Sequence, residues 1–345
     1  MARSALAAAA LLALVALAAT ARAESVAEFY RGKQIRLVIG YPTGSGYNIY
    51  ARLLADNLGR HMPGNPTIVP ENMPGAGSVI AANYLYNLAP RDGTVIGAIN
   101  RSVPLAPLLE TVEAKNIRFD PRKFGWIGSL AREVSIGFAW SGRGFDSFKD
   151  VQSREFLTGA SSVASDGYQF ARMLNNLLGA KLKIVMGYPD SASVFGAVER
   201  GELTGYFGGP LSSLMAERPD WLSSNKVTIL IQIALEGDPQ LPTVPLVGSF
   251  ARTERDRQAL ALILAPQSAG RPYLAPPGLP PDRLAALRQA FDETARDPAL
   301  LAMAGRLKID VSPMGGAAIA ALLDRLYASP AEAVAAARET LKPGP

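Results

Sequence analysis

Ile35-Arg36-Leu37-Val38-Ile39-Gly40-Tyr41-Pro42-Thr43-Gly44-Ser45-Gly46-Tyr47-Asn48 runs from an apolar strand through a glycine-rich loop into a helix, which Ile49, Leu53, Leu54 and Leu58 continue at helical spacing. A strand that ends this way leaves bare backbone N–H groups at the positive end of the helix dipole, where an anion is favoured. Asn72-Met73-Pro74-Gly75-Ala76-Gly77-Ser78 is a second such loop. Gly159-Ala160-Ser161-Ser162-Val163-Ala164-Ser165-Asp166 plays the same part later in the chain, ahead of Phe170, Met173, Leu174, Leu177 and Leu178.

Outward from these loops, short apolar runs alternate with amphipathic helices, the pattern of an α/β protein. Strands are expected at 35–39, 67–70, 95–99, 126–130, 136–140, 155–158, 183–186, 204–207, 227–233 and 307–311. Asn48, Asp166 and the segment near Ser191 are expected to begin helices, and Gly179 and Gly201 to end them. The proline-rich run Ala275–Pro281 leads to a helix with Leu284, Leu287 and Phe291 that should pack back on the first half. Ligands of open α/β sheets lie at the carboxyl ends of strands. Two halves of this kind therefore predict a cleft between two lobes.

The first residues frame the compartment. Met1 to Ala23 has Arg3, an apolar run from Ala5 to Ala19, and Ala21-Arg22-Ala23 as a cleavage site, the layout of a signal peptide. The expected mature chain, 24–345, is periplasmic or secreted, and is long for one core. Loss of Arg3 and Arg22 lowers the net charge from +5 to +3, and no basic run suggests nucleic acid as a partner. With no cysteine and one histidine, His61, thiolate chemistry and multi-histidine metal sites are excluded, and no cofactor or metal is expected.

The candidate anion contacts are Tyr41, Thr43, Gly44, Ser45, Gly46, Tyr47 and Asn48 in the first loop, and Asn72, Gly75, Ala76, Gly77 and Ser78 in the second. Arg101, just past a strand, is the candidate cation, since its planar fork suits a carboxylate. Ser161, Ser165, Tyr188, Ser191 and Gly208 would face them from the other lobe. Asp166 and Asp190 read as helix caps. His61, at the far end of the first helix, reads as structural.

Gly40–Arg52, Asn72–Gly77, Ala89-Pro90-Arg91-Asp92-Gly93-Thr94, Gly187-Tyr188-Pro189 and Glu199-Arg200-Gly201-Glu202-Leu203 together resemble the tripartite tricarboxylate transporter receptors, also called TctC-like or Bug receptors. The resemblance implies a two-lobed periplasmic-binding-protein type II fold, with two Rossmann-like lobes joined by two crossover strands. It assigns 24–133 with 236–345 to one lobe and 134–235 to the other. It implies a monomer that captures a small organic carboxylate, mainly on loop amides and hydroxyls, and delivers it to membrane permease subunits. Where many such receptors carry an acid, this chain has Asn48, which favours a plain carboxylate or polyol acid over an amine-bearing ligand.

Competing readings are an exported carboxylate- or sugar-processing enzyme, with Asp166 and Asp190 as its acids, and a sensory binding protein independent of transport. A Ser-His-Asp hydrolase is disfavoured, because Thr43-Gly44-Ser45-Gly46 lacks the Gly-x-Ser-x-Gly pattern. A dinucleotide site is disfavoured because Ile49 stands where a third glycine belongs.

Overall fold

Each of the two sheets among the described residues has three parallel strands at one end and antiparallel strands at the other. The computed structural model describes residues 24–109 and 116–343, so the leader read at 1–23 lies outside the described residues. In the first sheet β1 (Gln34–Ile39) lies between β2 (Thr67–Asn72) and β3 (Val95–Ala98), with all three parallel. Beyond β3 come the antiparallel β10 (Pro272–Ala275), then β4 (Gly125–Ser129) and the edge strand β11 (Met314–Gly315). In the second sheet β6 (Phe156–Ala160) pairs in parallel with β7 (Leu182–Met186) and β8 (Gly205–Pro210). There β5 (Ser135–Trp140) runs antiparallel to both β8 and β9 (Val227–Ile233).

Helices cover both faces of the first sheet, so Leu37, Val38 and Ile39 of β1 are successive buried apolar residues, while Gln34 and Arg36 at its start reach the surface. Ile35, Leu37 and Ile39 pack with Tyr50, Leu54 and Leu58 of the helix Gly46–Leu58. Val38 points the other way, towards Val79, Ala82 and Leu85. The expected back-packing of the helix Pro281–Thr294 is present, with Leu287 and Phe291 in the core of the first sheet.

The chain passes between lobes after β4 and again after β9. Gln267 ties the two passages together. Its carbonyl accepts Glu133 N–H at 2.8 Å, its Oε1 accepts Ser135 N–H at 3.1 Å, and its Nε2 donates to Ile233 O at 2.6 Å. A third link lies at the other end of the chain. The helix Ala331–Leu341 follows β11, yet packs beside the helix Asp166–Leu178, where Asn176 Nδ2 donates to Thr340 O at 2.9 Å.

Several local expectations need correction. The strand expected at 307–311 does not form: Leu307 ends the helix Pro298–Leu307, and Lys308 closes it in the left-handed region at φ 55°. The pairing with β4 is made instead by Met314–Gly315. β10 was hidden by its length of four residues and its leading proline. Asn48 does not cap its helix. Ser45 does, accepting Asn48 N–H at 3.2 Å, so the helix starts earlier than the apolar spacing implied. Ser165, not Asp166, stands at the N-cap position of the helix Asp166–Leu178.

Candidate ligand-binding cleft

The first loop turns at Gly44, where φ is +89°, a backbone angle that glycine adopts without penalty. Ser45 then caps the helix, and its hydroxyl also donates to Pro42 O at 2.9 Å. Asn72 fastens this loop from the end of β2. Its Nδ2 donates to Tyr41 O at 2.7 Å and Asn48 Oδ1 at 2.9 Å, while its Oδ1 accepts from Thr43 and Arg52. Thr43, Asn48 and Asn72 thus hold the loop's shape with their own side chains. Tyr41 and Tyr47 stack at 4.6 Å with an interplanar angle of 4°, forming a buried aromatic floor.

The second loop carries positive φ at four successive residues, Gly75, Ala76, Gly77 and Ser78. Two of these are not glycine, so the turn stores strain that the surrounding contacts must hold. Ser78, fully buried, does so: its hydroxyl donates to Gly40 O and accepts Asn100 N–H, both at 3.2 Å. The loop reaches the other lobe at Gly77, where a Cβ would lie 2.8 Å from Ser162 Oγ.

Arg101 follows β3 and is buried rather than exposed, at 2% relative exposure. Its guanidinium pairs with Asp166 at 2.8 Å and donates to Ser135 Oγ at 2.8 Å and to Tyr47 Oη at 3.4 Å. Ser102 donates to the other oxygen of Asp166, and Asn100 Nδ2 lies 3.4 Å from Oδ2. Asp166 is therefore a cross-lobe acceptor, whereas Asp190 is a helix cap, taking Ser193 N–H at 2.8 Å. Burial drives the Tyr41 and Tyr47 hydroxyls well above and above their usual range respectively, so both stay protonated as hydrogen-bonding groups.

A second buried pair joins Arg271 and Glu133 at 2.9 Å. Arg271 also donates to Ser212 and Ser213 of the second lobe, and its guanidinium lies over the rings of Tyr47 at 4.5 Å and Tyr50 at 4.9 Å. From the same lobe as Ser213 comes Glu217, whose Oε1 accepts Gly46 N–H at 3.1 Å and Ser191 Oγ–H at 3.1 Å. Burial, with the charge of Asp190, raises the Glu217 carboxyl to about 7; Ser191, Arg271 and the Gly46 amide work against that rise.

Tyr41, Ser45, Gly46, Tyr47, Ser161, Ser165, Ser191 and Gly208 therefore line one pocket between the lobes, with Asp166, Gly167, Asp190, Tyr206, Pro210 and Ser213. Thr43, Gly44, Asn48, Asn72, Gly75, Ala76, Gly77, Ser78 and Arg101 stand outside that lining, and so does Tyr188. His61 lies on the surface between Asp297, at 2.8 Å, and Glu293. Sequence reasoning missed Glu217, Ser213 and Tyr206. Gly208-Gly209-Pro210 ahead of a helix signalled Ser213, but an acid at the end of a short helix ordinarily marks a solvated face. Among the described residues no group of three or more Asp, Glu, His or Cys side chains is placed to hold a metal, and no helix is long and apolar enough to cross a membrane.

No protein family model matches the chain. It is 40% identical over 124 residues to a UPF0065 protein encoded in the gbd 5′ region of Cupriavidus necator; the aligned part is 36% of this chain and about a third, 34%, of that relative. A UPF0065 protein of Bordetella bronchiseptica is 24% identical over 84% of this chain and 79% of its own length. The periplasmic binding protein BugD superposes with a TM-score of 0.69 at 18% identity, covering 87% of this chain and 95% of BugD. MatC of Rhodopseudomonas palustris, with bound malate, gives 0.68 at 19% identity over 86% and 97% of the two chains. An R. palustris protein with adipate gives 0.67 at 16% over 86% and 94%. The chain has the two-lobed fold of the TctC and Bug periplasmic binding proteins, and the resemblance carried by its glycine loops holds.

Proposed function

We propose that this protein is an exported solute receptor of the TctC and Bug type that captures a small organic carboxylate between its lobes and passes it to a membrane permease. The observation that carries this reading is the hydrogen bond from Gly46 N–H to a carboxylate oxygen, that of Glu217. The first amide of the helix Gly46–Leu58 is turned into the cleft and suits a carboxylate there. Malate in MatC and adipate in the R. palustris neighbour belong to the same chemical class. We take the lobes to divide as 24–133 with 236–345, and 134–235, the protein to act as a monomer, and lobe closure to proceed by hinge motion. The enzyme reading loses ground because Asp166 is committed to Arg101 and Asp190 to its own helix.

Thermal melting against mono-, di- and tricarboxylates, amino acids and sugar acids tests this. A ligand at a hundred times its Kd stabilises by about 2.7 kcal/mol, a visible shift. A shift confined to one group of acids supports the receptor; turnover of a bound acid, abolished by Asp190→Asn, would favour the enzyme.

A further inference from the structure

Glu217 is the last residue of the helix Leu211–Glu217, where the helix dipole disfavours negative charge. Its carboxyl group nonetheless turns towards the other lobe, behind the pocket-lining residues Gly46 and Ser191. Oε1 takes Gly46 N–H from the first lobe and the Ser191 hydroxyl from the second, while Oε2 is buried with no hydrogen-bond partner among the described residues. Gly46 opens the 13-residue helix that packs on β1, and its amide is the one that a solute carboxylate would use. We propose that Glu217 is an internal competitor: its carboxylate holds the lobes together at Gly46, and a solute carboxylate must displace it to bind. This inference rests on the carboxylate-receptor reading.

The surroundings determine how the competition responds to pH. Asp190 faces Glu217 from the start of the Ser191 helix and repels it, and Arg271, on the strand side, attracts it. Arg271 is already paired with Glu133, and Arg218, the next residue, lies 3.7 Å from Glu199, so neither is a free counter-ion. Tyr206 shares the same wall as a neutral phenol, raised by burial. Two carboxylates on one amide site cannot both remain ionised cheaply. Burial favours the neutral acid in this site, so Glu217 holds its place most firmly below about pH 7, and above it the ionised carboxylate leaves for water more readily. Ordinary solute carboxyl groups, which titrate near pH 4, stay ionised throughout this range. Displacement moves Glu217 from a site where it titrates at about 7 to water, where it is ionised, so solute binding releases a proton and affinity should rise with pH.

Calorimetric titration with malate and with adipate at pH 6 and pH 8 reads this out. Wild type should bind about tenfold more tightly at pH 8 than at pH 6. Glu217→Ala should lose that dependence and bind more tightly than wild type at pH 6. A wild-type affinity unchanged between the two pH values overturns the proposal. So does weaker binding by Glu217→Ala at pH 6, because Glu217 would then be gripping the solute. If neither protein binds either acid, the receptor reading fails, and small-angle scattering without added acid decides the competitor separately. A wild type more compact than Glu217→Ala at pH 6 supports it, and equal radii of gyration overturn it.

Discussion

Arg101 and Asp166, one from each lobe, meet in an ion pair at 2.8 Å with side-chain exposures of 0% and 6%. Asp166 also accepts from Ser102, so one carboxylate gathers the whole loop that follows β3. Removing one member of a buried pair leaves an uncompensated charge, at a cost of about 3–5 kcal/mol. Asp166→Asn should therefore lower unfolding stability by about 3 kcal/mol, the low end, because an opening cleft admits water to Arg101. Denaturant unfolding checks the size, and small-angle scattering should show the variant more open than wild type.

Gly46 is a contact point rather than a hinge. A Cβ there would stand 2.2 Å from Ser213 Oγ across the cleft, while φ at Gly46 is not in the left-handed region. Gly46→Ala should leave the first lobe folded, since alanine suits a helix start at least as well as glycine does within one. It should keep the lobes apart. The expected outcome is a melting temperature within a few degrees of wild type and solute affinity reduced at least about tenfold, a loss of ~1.4 kcal/mol.

Much of this arrangement was legible in the chain. The glycine loops following β1, β2 and β6, and the capped helices after two of them, follow from apolar runs broken by glycine and serine. Tyr41, Ser45, Gly46, Tyr47, Ser161, Ser165, Ser191 and Gly208 converge on the pocket because strand ends and helix starts are local features. The electrostatics were not legible. Arg101 was read as a free cation, and its pairing with Asp166 spans 65 positions that only the closed cleft brings together. Loss of an acid at position 48 suggested a cleft edge without negative charge, but Glu217 supplies one from the other lobe.

The two lobe passages share Gln267, which is 3% exposed and satisfies a donor at 135 and an acceptor at 233 with one amide. Gln267→Leu keeps the volume and strands both partners. Each buried unsatisfied group costs about 1–3 kcal/mol, so the variant should lose about 3 kcal/mol in denaturant unfolding, with solute affinity falling as the hinge loosens.

Glu217 also leaves a mark on stability against pH. Its carboxyl is raised to about 7 in the folded chain, from an ordinary value of 4.5. The folded state therefore binds the proton more tightly than the unfolded state, and this stabilisation is present in full below about pH 4.5. It is lost as pH rises through about 7, a decline of up to about 3 kcal/mol. Other carboxylates held low, such as Asp297 and Asp150, push the opposite way at lower pH. The difference between wild type and Glu217→Gln isolates the effect: their stability gap should shift in favour of the variant between pH 5 and pH 8.

Calorimetric titration of wild type and Gly46→Ala with malate and adipate at pH 6 tests the central claim most directly. The receptor account predicts saturable binding of at least one acid at one site in wild type, and its loss when the cleft cannot close. Absence of heat and of saturation with both acids in wild type, or equal affinity in Gly46→Ala, would contradict a carboxylate held between these lobes.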